Sequence, residues 1–207
     1  PVQAVIFDLD DTLFPEHSYT VSGYAAVASA FRHILGDPDR ASAEMRALYG
    51  SNHRGRVFNV LCERRSIDSA DEVVSQMITA YRTHRPVISL HPDAERALTR
   101  LEGHYRLGLI SDGPLPMQQA KVDALRLADR LEEIILTDRW GRAGWKPNPR
   151  AFETVAAALG VAHAACVYVG DNPAKDFIAP RQLGWRTIRI GRPGGVYAAE
   201  PAPPGGE

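Results

Sequence analysis

The sequence has 207 residues, of which 24% are charged and 44% hydrophobic, with a net charge of -1 and a pI near 6.8. This balance is ordinary for a globular protein and gives no general attraction toward nucleic acid or an anionic membrane. No apolar run approaches the ~20 residues of a membrane-spanning helix, and no signal-peptide pattern is present. Two cysteines, Cys62 and Cys166, are too few for a disulfide framework. We expect a cytoplasmic protein without a nucleic-acid or membrane partner.

Short apolar runs alternate with helical patterns along most of the chain. Strands bounded by ten-to-fifteen-residue helices are typical of a doubly wound parallel α/β sheet. The predicted strands are residues 2–7, Arg106–Ser111, Glu133–Thr137, Cys166–Gly170 and Arg186–Ile190. The predicted helices are Pro92–Leu101, Pro116–Leu127, Pro149–Leu159 and Ala174–Leu183.

One long stretch interrupts this alternation and contains no convincing strand. It is too long for an ordinary connection, so we predict an inserted all-helical unit. Its predicted helices are His17–Leu35, Arg40–Tyr49, Val57–Arg65 and Asp71–Thr83. The predicted domains are therefore a core of residues 1–15 and 85–191, a helical unit of residues 16–84, and a loosely held Pro/Gly-rich tail of residues 192–207.

Two acidic residues, Asp8 and Asp10, directly follow the first predicted strand. In an extended chain, residues two apart point to the same side. Two neighbouring carboxylates repel each other unless a cation or a shared proton lies between them, and Mg²⁺ prefers such oxygen ligands. A strand end with solvated acids remains the ordinary alternative, whereas a P-loop enzyme would need a GxxxxGK[ST] motif that the chain lacks.

Polar residues also follow other predicted strands. Ser111 and Asp112 stand in the segment LISDG, although Ser-Asp-Gly is also a common turn. Asp171, Asn172 and Asp176 follow Gly170, although an aspartate there could simply cap a helix.

Lysine is rare in this chain. Lys146 precedes a predicted helix and is one of only three lysines among 24 basic residues. This choice hints that a compact charge is required there, although a solvated lysine at a helix start is an equal alternative.

Taken together, the segments FDLDDTL, LISDG, WKPNPRAFE and VYVGDNPAKDF resemble the four motifs of the haloacid dehalogenase (HAD) superfamily in order and spacing. The resemblance covers residues 2 to about 190 and concerns the branch with a helical cap inserted after the first motif. It implies a Rossmann-like core with an all-helical cap. Within residues 16–84 the resemblance is limited to the position of the insertion and its helical character.

The resemblance also implies roles for individual residues. Asp8 would be the nucleophile that forms a phosphoaspartate, and Asp10 the general acid and base. Ser111 would hold the phosphoryl group and Lys146 would neutralise it. Mg²⁺ would be bound by Asp8, Asp171 and the backbone carbonyl of Asp10, with Asp176, Asp112 and Asn172 in supporting positions.

The implied activity is magnesium-dependent hydrolysis of a small soluble phosphomonoester, such as a sugar phosphate, a phospho-acid or a nucleoside monophosphate. A phosphomutase remains an alternative because it would share every core residue. A 2-haloacid dehalogenase is disfavoured because it typically carries tyrosine at the position of Asp10. A non-catalytic binding member of the superfamily would not need the complete set of catalytic residues. The sequence gives no prediction of oligomeric state.

A polar break between two predicted cap helices contains His53, Arg54 and Arg56. A basic loop of this kind could bind hydroxyl or carboxylate groups of the substrate. A solvated turn is the ordinary alternative.

Overall fold

The computed structural model of the chain describes residues 1–68 and 70–201. The end of the predicted tail, residues 202–207, lies outside the described residues. The chain divides into two compact units. The first comprises Pro1–Glu16 and the chain from Ile88 onward, and the second is His17–Val87. These bounds lie one and three residues from those predicted.

The first unit is built on a parallel sheet. Its strands are β1 (Ala4–Phe7), β2 (Arg106–Ser111), β3 (Glu133–Leu136), β4 (Cys166–Gly170) and β5 (Arg186–Arg189). The strand order is β3-β2-β1-β4-β5, and this arrangement confirms the predicted α/β class.

Among the described residues of this unit, four α-helices accompany the sheet: α6 (Pro92–Leu101), α7 (Leu115–Ala124), α8 (Arg150–Leu159) and α9 (Ile178–Gln182). The central strand β1 is buried at all four positions, as expected for a parallel strand covered on both faces. Ile6, Ile110, Phe152 and Tyr168 belong to one apolar core. Each such buried apolar side chain contributes about 1.5–3 kcal/mol.

Helix α9 differs from its predicted extent, Ala174–Leu183, because it begins only at Ile178. The preceding residues form a turn that local hydrogen bonds close. The Asp176 carboxylate accepts the backbone N–H of Asn172, and the Asn172 side chain accepts that of Ala174, each at 2.9 Å. The expectation that Asp176 lies within a helix is therefore wrong.

The second unit is helical, and no strand occurs among its described residues. Its helices are α1 (Glu16–Ala30, which begins one residue before the unit), α2 (Arg32–Leu35), α3 (Pro38–Tyr49), α4 (Val57–Arg64) and α5 (Ala70–Thr83). Asp37 caps α3 by accepting the backbone N–H of Arg40 at 2.9 Å. Val27, Met45, Leu61 and Met77 are fully buried in its own core. None of the described helices has the length and apolar character needed to cross a bilayer.

The C-terminal segment also differs from its prediction. Its composition indicated a loosely held tail, yet Arg192 forms an ion pair with Asp93 at 2.6 Å. The backbone N–H of Val196 donates to Asp11 at 2.8 Å. Both partners are distant in sequence, so composition alone gave no sign of these contacts.

Candidate active site

The carboxyl ends of β1, β2 and β4 lie side by side because β1 is the strand between the other two. Phe7, the last residue of β1, is in register with Leu109 and Val169. Asp8 follows Phe7, and its N–H continues the ladder by donating to the carbonyl of Val169 at 2.8 Å. The sheet thereby gathers acids and hydroxyls at the edge where parallel α/β sheets bind ligands.

Three buried carboxylates meet at this edge. Asp8, Asp171 and Asp176 each offer an oxygen, and these oxygens all lie within 4.8 Å of one another. Burial and the Asp176 charge raise the pKa of Asp8 to about 7, although Lys146 opposes this. Burial, Asp8 and Asp176 raise the pKa of Asp171 to about 8.

Such a cluster is unfavourable by itself and is relieved by a cation. Oδ1 of Asp176 is buried and lies 2.8 Å from the Lys146 ammonium, so one positive charge already balances part of this cluster. A donor set of carboxylate oxygens suits a hard divalent ion such as Mg²⁺. These residues therefore fit the expected metal, with Asp8 and Asp171 as candidate ligands.

Lys146 lies at the centre of the buried charges. Its ammonium group donates to Asp8 at 2.5 Å and to the Tyr168 hydroxyl at 2.9 Å, and it lies 2.8 Å from Asp176. Burial lowers the pKa of Lys146, but Asp176 and Asp8 outweigh that effect and raise the pKa well above its ordinary value. This lysine is therefore a fixed positive charge against the candidate nucleophile.

Asp10 is held by two residues of α7 that sequence reasoning missed. Its carboxylate accepts a hydrogen bond from Lys121 at 2.6 Å and one from Gln118 at 2.8 Å. Gln118 also donates to Ser111 Oγ at 2.6 Å, which links the hydroxyl to the candidate acid and base. Gly113 makes room for this amide, because a Cβ at Gly113 would lie 2.9 Å from the Gln118 side chain.

Asp112 binds two lysines on the other side of Ser111. Its carboxylate accepts the backbone N–H of Lys146 at 3.1 Å and the ammonium of Lys175 at 2.8 Å, and it also accepts from the Thr137 hydroxyl at 2.7 Å. Burial would raise the pKa of Asp112, but the two lysines outweigh it and the pKa is lowered. Asp112 therefore remains charged, and its hydrogen bond fixes the backbone at Lys146.

The turn after β4 is tight because Asp176 packs against Gly170. A Cβ at Gly170 would lie 2.5 Å from Oδ2 of Asp176, so a side chain cannot be accommodated without a shift. The same carboxylate oxygen accepts the N–H of Asn172. Asn172 and Asp176 thus shape the turn that presents Asp171.

A small cavity of about 130 Å³ opens among these groups. Most of its lining residues carry charge, which suits a polar ligand. Its walls are formed by Asp8, Asp10, Glu16, Asp112, Trp145, Asp171, Asn172, Lys175 and Tyr197.

The three basic candidates of the helical unit lie on the loop between α3 and α4 and are exposed. Arg54 donates to the Tyr49 hydroxyl at 2.5 Å and its guanidinium lies over the Tyr49 ring. Arg56 forms an ion pair with Glu63 at 2.8 Å. Whether His53, Arg54 or Arg56 contacts a substrate stays a prediction.

The chain is similar to known hydrolases and phosphatases. A family model described as haloacid dehalogenase-like hydrolase matches residues 2–184. A glyceraldehyde 3-phosphate phosphatase of Methanopyrus kandleri is 31% identical over 92% of this chain and 84% of its own length. A phosphoserine phosphatase of Thermus thermophilus is 27% identical over 88% and 72%, respectively.

A solved structure of a HAD-superfamily hydrolase from Geobacter sulfurreducens has the same fold. It aligns with a TM-score of 0.67 and 19% identity, and the alignment covers 91% of this chain and 86% of that one. The family model, the relatives and the fold agree. The chain belongs to the haloacid dehalogenase-like hydrolase family.

Proposed function

We propose that this hydrolase is a magnesium-dependent phosphatase of small phosphomonoesters, with Asp8 as the nucleophile. The observation that carries the proposal is the contact of the Asp8 carboxylate with Lys146, beside Asp171 and two residues before Asp10. The two relatives are named for glyceraldehyde 3-phosphate and phosphoserine, which are both short phosphomonoesters. Their names support the same class of substrate here.

In the first chemical step an oxygen of Asp8 attacks phosphorus, and the bond from phosphorus to the ester oxygen breaks. The product is an acyl phosphate on Asp8 and a free alcohol, because protonated Asp10 gives its proton to the departing oxygen. Lys146, which contacts Asp8, would offset the charge of the phosphoryl oxygens, and Ser111 would hold one of them. Mg²⁺, when held by Asp8, Asp171 and the Asp10 carbonyl, would supply further positive charge at these oxygens.

In the second step water attacks the acyl phosphate while Asp10 removes its proton. Asp8 leaves as a carboxylate, and inorganic phosphate is released. The two-step route replaces one difficult displacement by two easier ones. It requires a group beside Asp8 that can first give and then take a proton, and Asp10 is the acid in that position.

Two other activities use the same fold. Dehalogenation also begins with a carboxylate nucleophile, but it needs no acid to protonate a departing alkoxide. Asp10, with hydrogen bonds to Lys121 and Gln118, therefore favours phosphoryl chemistry. A phosphomutase would need to retain its substrate for a second transfer, and no observation in the described residues favours that reaction.

The proposal is tested with a panel of small phosphomonoesters in the presence of Mg²⁺. The panel includes glyceraldehyde 3-phosphate, phosphoserine, sugar phosphates and nucleoside monophosphates, with Asp8→Asn as the control. We expect inorganic phosphate release from at least one short ester by the wild type and none by the variant. Equal release by both proteins would exclude Asp8 as the nucleophile.

A further inference from the structure

Residues 192–200, here called the C-terminal strap, are fixed to the first motif at two points. At the first point, the Arg192 guanidinium donates to both carboxylate oxygens of Asp93, at 2.8 and 2.6 Å. It also donates to the backbone carbonyl of Thr12 at 2.8 Å. The side chain of Arg192 is only 10% exposed, so this anchor is more than a solvated surface ion pair.

The second anchor is Asp11, the residue that follows the candidate acid and base. One carboxylate oxygen of Asp11 accepts the N–H of Glu16 at 2.9 Å, and the other accepts that of Val196 at 2.8 Å. Asp11 itself has a left-handed backbone conformation with φ of 50°, which aspartate tolerates better than most residues. Its side chain therefore joins the strap to the turn after β1.

These anchors place Tyr197 at the candidate active site. The carbonyl of Tyr197 accepts a hydrogen bond from Arg189 at 2.9 Å, which fixes the chain on the far side of Val196. Tyr197 lines the same small cavity as Asp8, Asp10 and Asp171. Apart from Trp145, the residues that share this cavity are acidic, amide or lysine side chains.

The Tyr197 side chain carries both an apolar ring and a hydroxyl. Burial raises the pKa of the Tyr197 phenol; Lys175 opposes this, and the nearby Glu16 and Asp171 add to it. The hydroxyl therefore keeps its proton at neutral pH and can donate to a polar ligand. A phosphoryl group attacked by Asp8 would bring its esterified carbon chain to the cavity walls, of which Tyr197 is one.

We propose that the C-terminal strap forms part of the substrate pocket and that Tyr197 contacts the organic group esterified to phosphate. In this role Tyr197 helps determine which phosphomonoesters are bound. The proposal rests on the proposed phosphatase function, and it assigns substrate recognition to a segment beyond residue 184, where the family match ends.

The test measures binding separately from turnover. Calorimetry with Mg²⁺ follows the binding of sn-glycerol 3-phosphate and of inorganic phosphate to the Asp8→Asn protein, which cannot complete the reaction. Tyr197→Ala is added to this background. Tyr105→Ala is the matched control, because it removes the same side chain from a partly exposed position of the first unit that does not line the cavity. Arg192→Ala provides a second way to release the strap.

We expect Tyr197→Ala and Arg192→Ala to weaken sn-glycerol 3-phosphate binding by about tenfold, the range of one lost hydrogen bond. Inorganic phosphate, which lacks the organic group, should bind within about twofold of the parent protein in each case. The Tyr105→Ala control should change the affinity for neither ligand. Equal effects on the two ligands, no effect on either, or no binding of the ester at all would overturn the role of Tyr197. A wild type that binds the ester in this selective way but never hydrolyses any phosphomonoester would instead contradict the proposed function alone.

Discussion

At the scale of single residues, the lysines are the clearest signal. The chain has three, and together they contact four carboxylates of the candidate site: Lys121 contacts Asp10, Lys146 contacts Asp8 and Asp176, and Lys175 contacts Asp112. Lysine carries its charge on a compact group, whereas the wide planar guanidinium of arginine needs more space. Sequence analysis singled out only Lys146, because its motif had a recognised position. The rarity of lysine pointed equally to the other two.

Replacing Asp8 by Asn should raise the stability of the metal-free protein at alkaline pH. The folded-state pKa of Asp8 is raised from 3.8 to about 7. Between these values the unfolded chain has released the proton that the folded protein still binds, so the free energy of unfolding decreases as pH rises. The Asn side chain binds no titratable proton, so the variant does not lose stability in this way as pH rises. Lys146 keeps Asp176 as a partner in the variant.

The measurement is thermal unfolding in excess chelator at pH 5 and pH 8. From the lower to the higher pH, the melting temperature of the wild type should fall further than that of Asp8→Asn. A wild type whose melting temperature falls no further than that of the variant would show that Asp8 is not held in a proton-retaining environment.

Lys121→Met should impair proton transfer by Asp10 while leaving metal binding intact. The change removes a 2.6 Å ion pair and leaves Asp10 with Gln118 as its remaining described side-chain donor. General acid–base catalysis contributes about 10²–10⁴-fold, so we expect kcat on an alkyl phosphate to fall by about 10². An aryl phosphate, whose leaving group needs little proton donation, should lose less.

Arg126→Met is the control for this prediction, because it removes another long cation that is 82% exposed and pairs with Asp129. Steady-state kinetics of both variants on the alkyl and the aryl ester separate an effect on proton transfer from a general effect on the fold. The Mg²⁺ requirement is measured in parallel. Losses of equal size on alkyl and aryl esters would show that Lys121 supports the fold and not Asp10.

At the scale of elements, the strands were predicted more accurately than the helix termini. β2 and β4 have the predicted bounds, since a buried parallel strand is a short apolar run with polar residues at its end. The prediction of a helix from Ala174 was wrong because it ignored the side chains of Asn172 and Asp176, which close a turn by bonding to backbone N–H groups. The single helix predicted over His17–Leu35 is interrupted at Phe31 between α1 and α2.

The turn after β4 gives a prediction of its own. Gly170→Ala should destabilise the fold and weaken metal binding, because the new Cβ would lie 2.5 Å from Oδ2 of Asp176. Overpacking of this kind costs about 1–3 kcal/mol. Gly191→Ala is the control, since no atom lies within 4 Å of a Cβ at that position.

Chemical denaturation and Mg²⁺ titration check both effects. The Gly191→Ala control should match the wild type in both stability and Mg²⁺ affinity. A Gly170→Ala protein with unchanged stability and metal affinity would contradict the close packing of Asp176 beneath the turn.

The loop between α3 and α4 gives the corresponding prediction for the helical unit. If the loop recognises the leaving group, alanine at His53, Arg54 or Arg56 should reduce kcat/KM for the best small phosphomonoester substrate more than for a generic aryl phosphate. Arg54 and Arg56 already have partners in Tyr49 and Glu63, which provides an ordinary structural role. Equal losses on both esters, or no loss, would leave the loop as a connection between helices.

At the scale of the whole molecule, the sequence predicted the α/β core and a helical unit. It also predicted Asp8, Asp10, Ser111 and Asp171 at neighbouring strand ends, and Lys146 just before a helix. These residues stand in short motifs, and a parallel sheet brings strand ends together whatever lies between them. Gln118, Lys121 and Tyr197 were missed because their role depends on how α7 and the strap pack. A helical position or a Pro/Gly-rich segment does not reveal that packing.

The central claim is that the buried carboxylates hold a metal that phosphate ester hydrolysis requires. The most direct measurement is the rate of inorganic phosphate release from the best small phosphomonoester before chelation, in excess chelator and after Mg²⁺ is restored. We predict that activity disappears in chelator and returns with Mg²⁺, that Asp171→Asn raises the Mg²⁺ requirement or abolishes activity, and that 2-haloacids release no halide in any condition. Full phosphate release in excess chelator, or halide release that survives metal removal, would contradict the account.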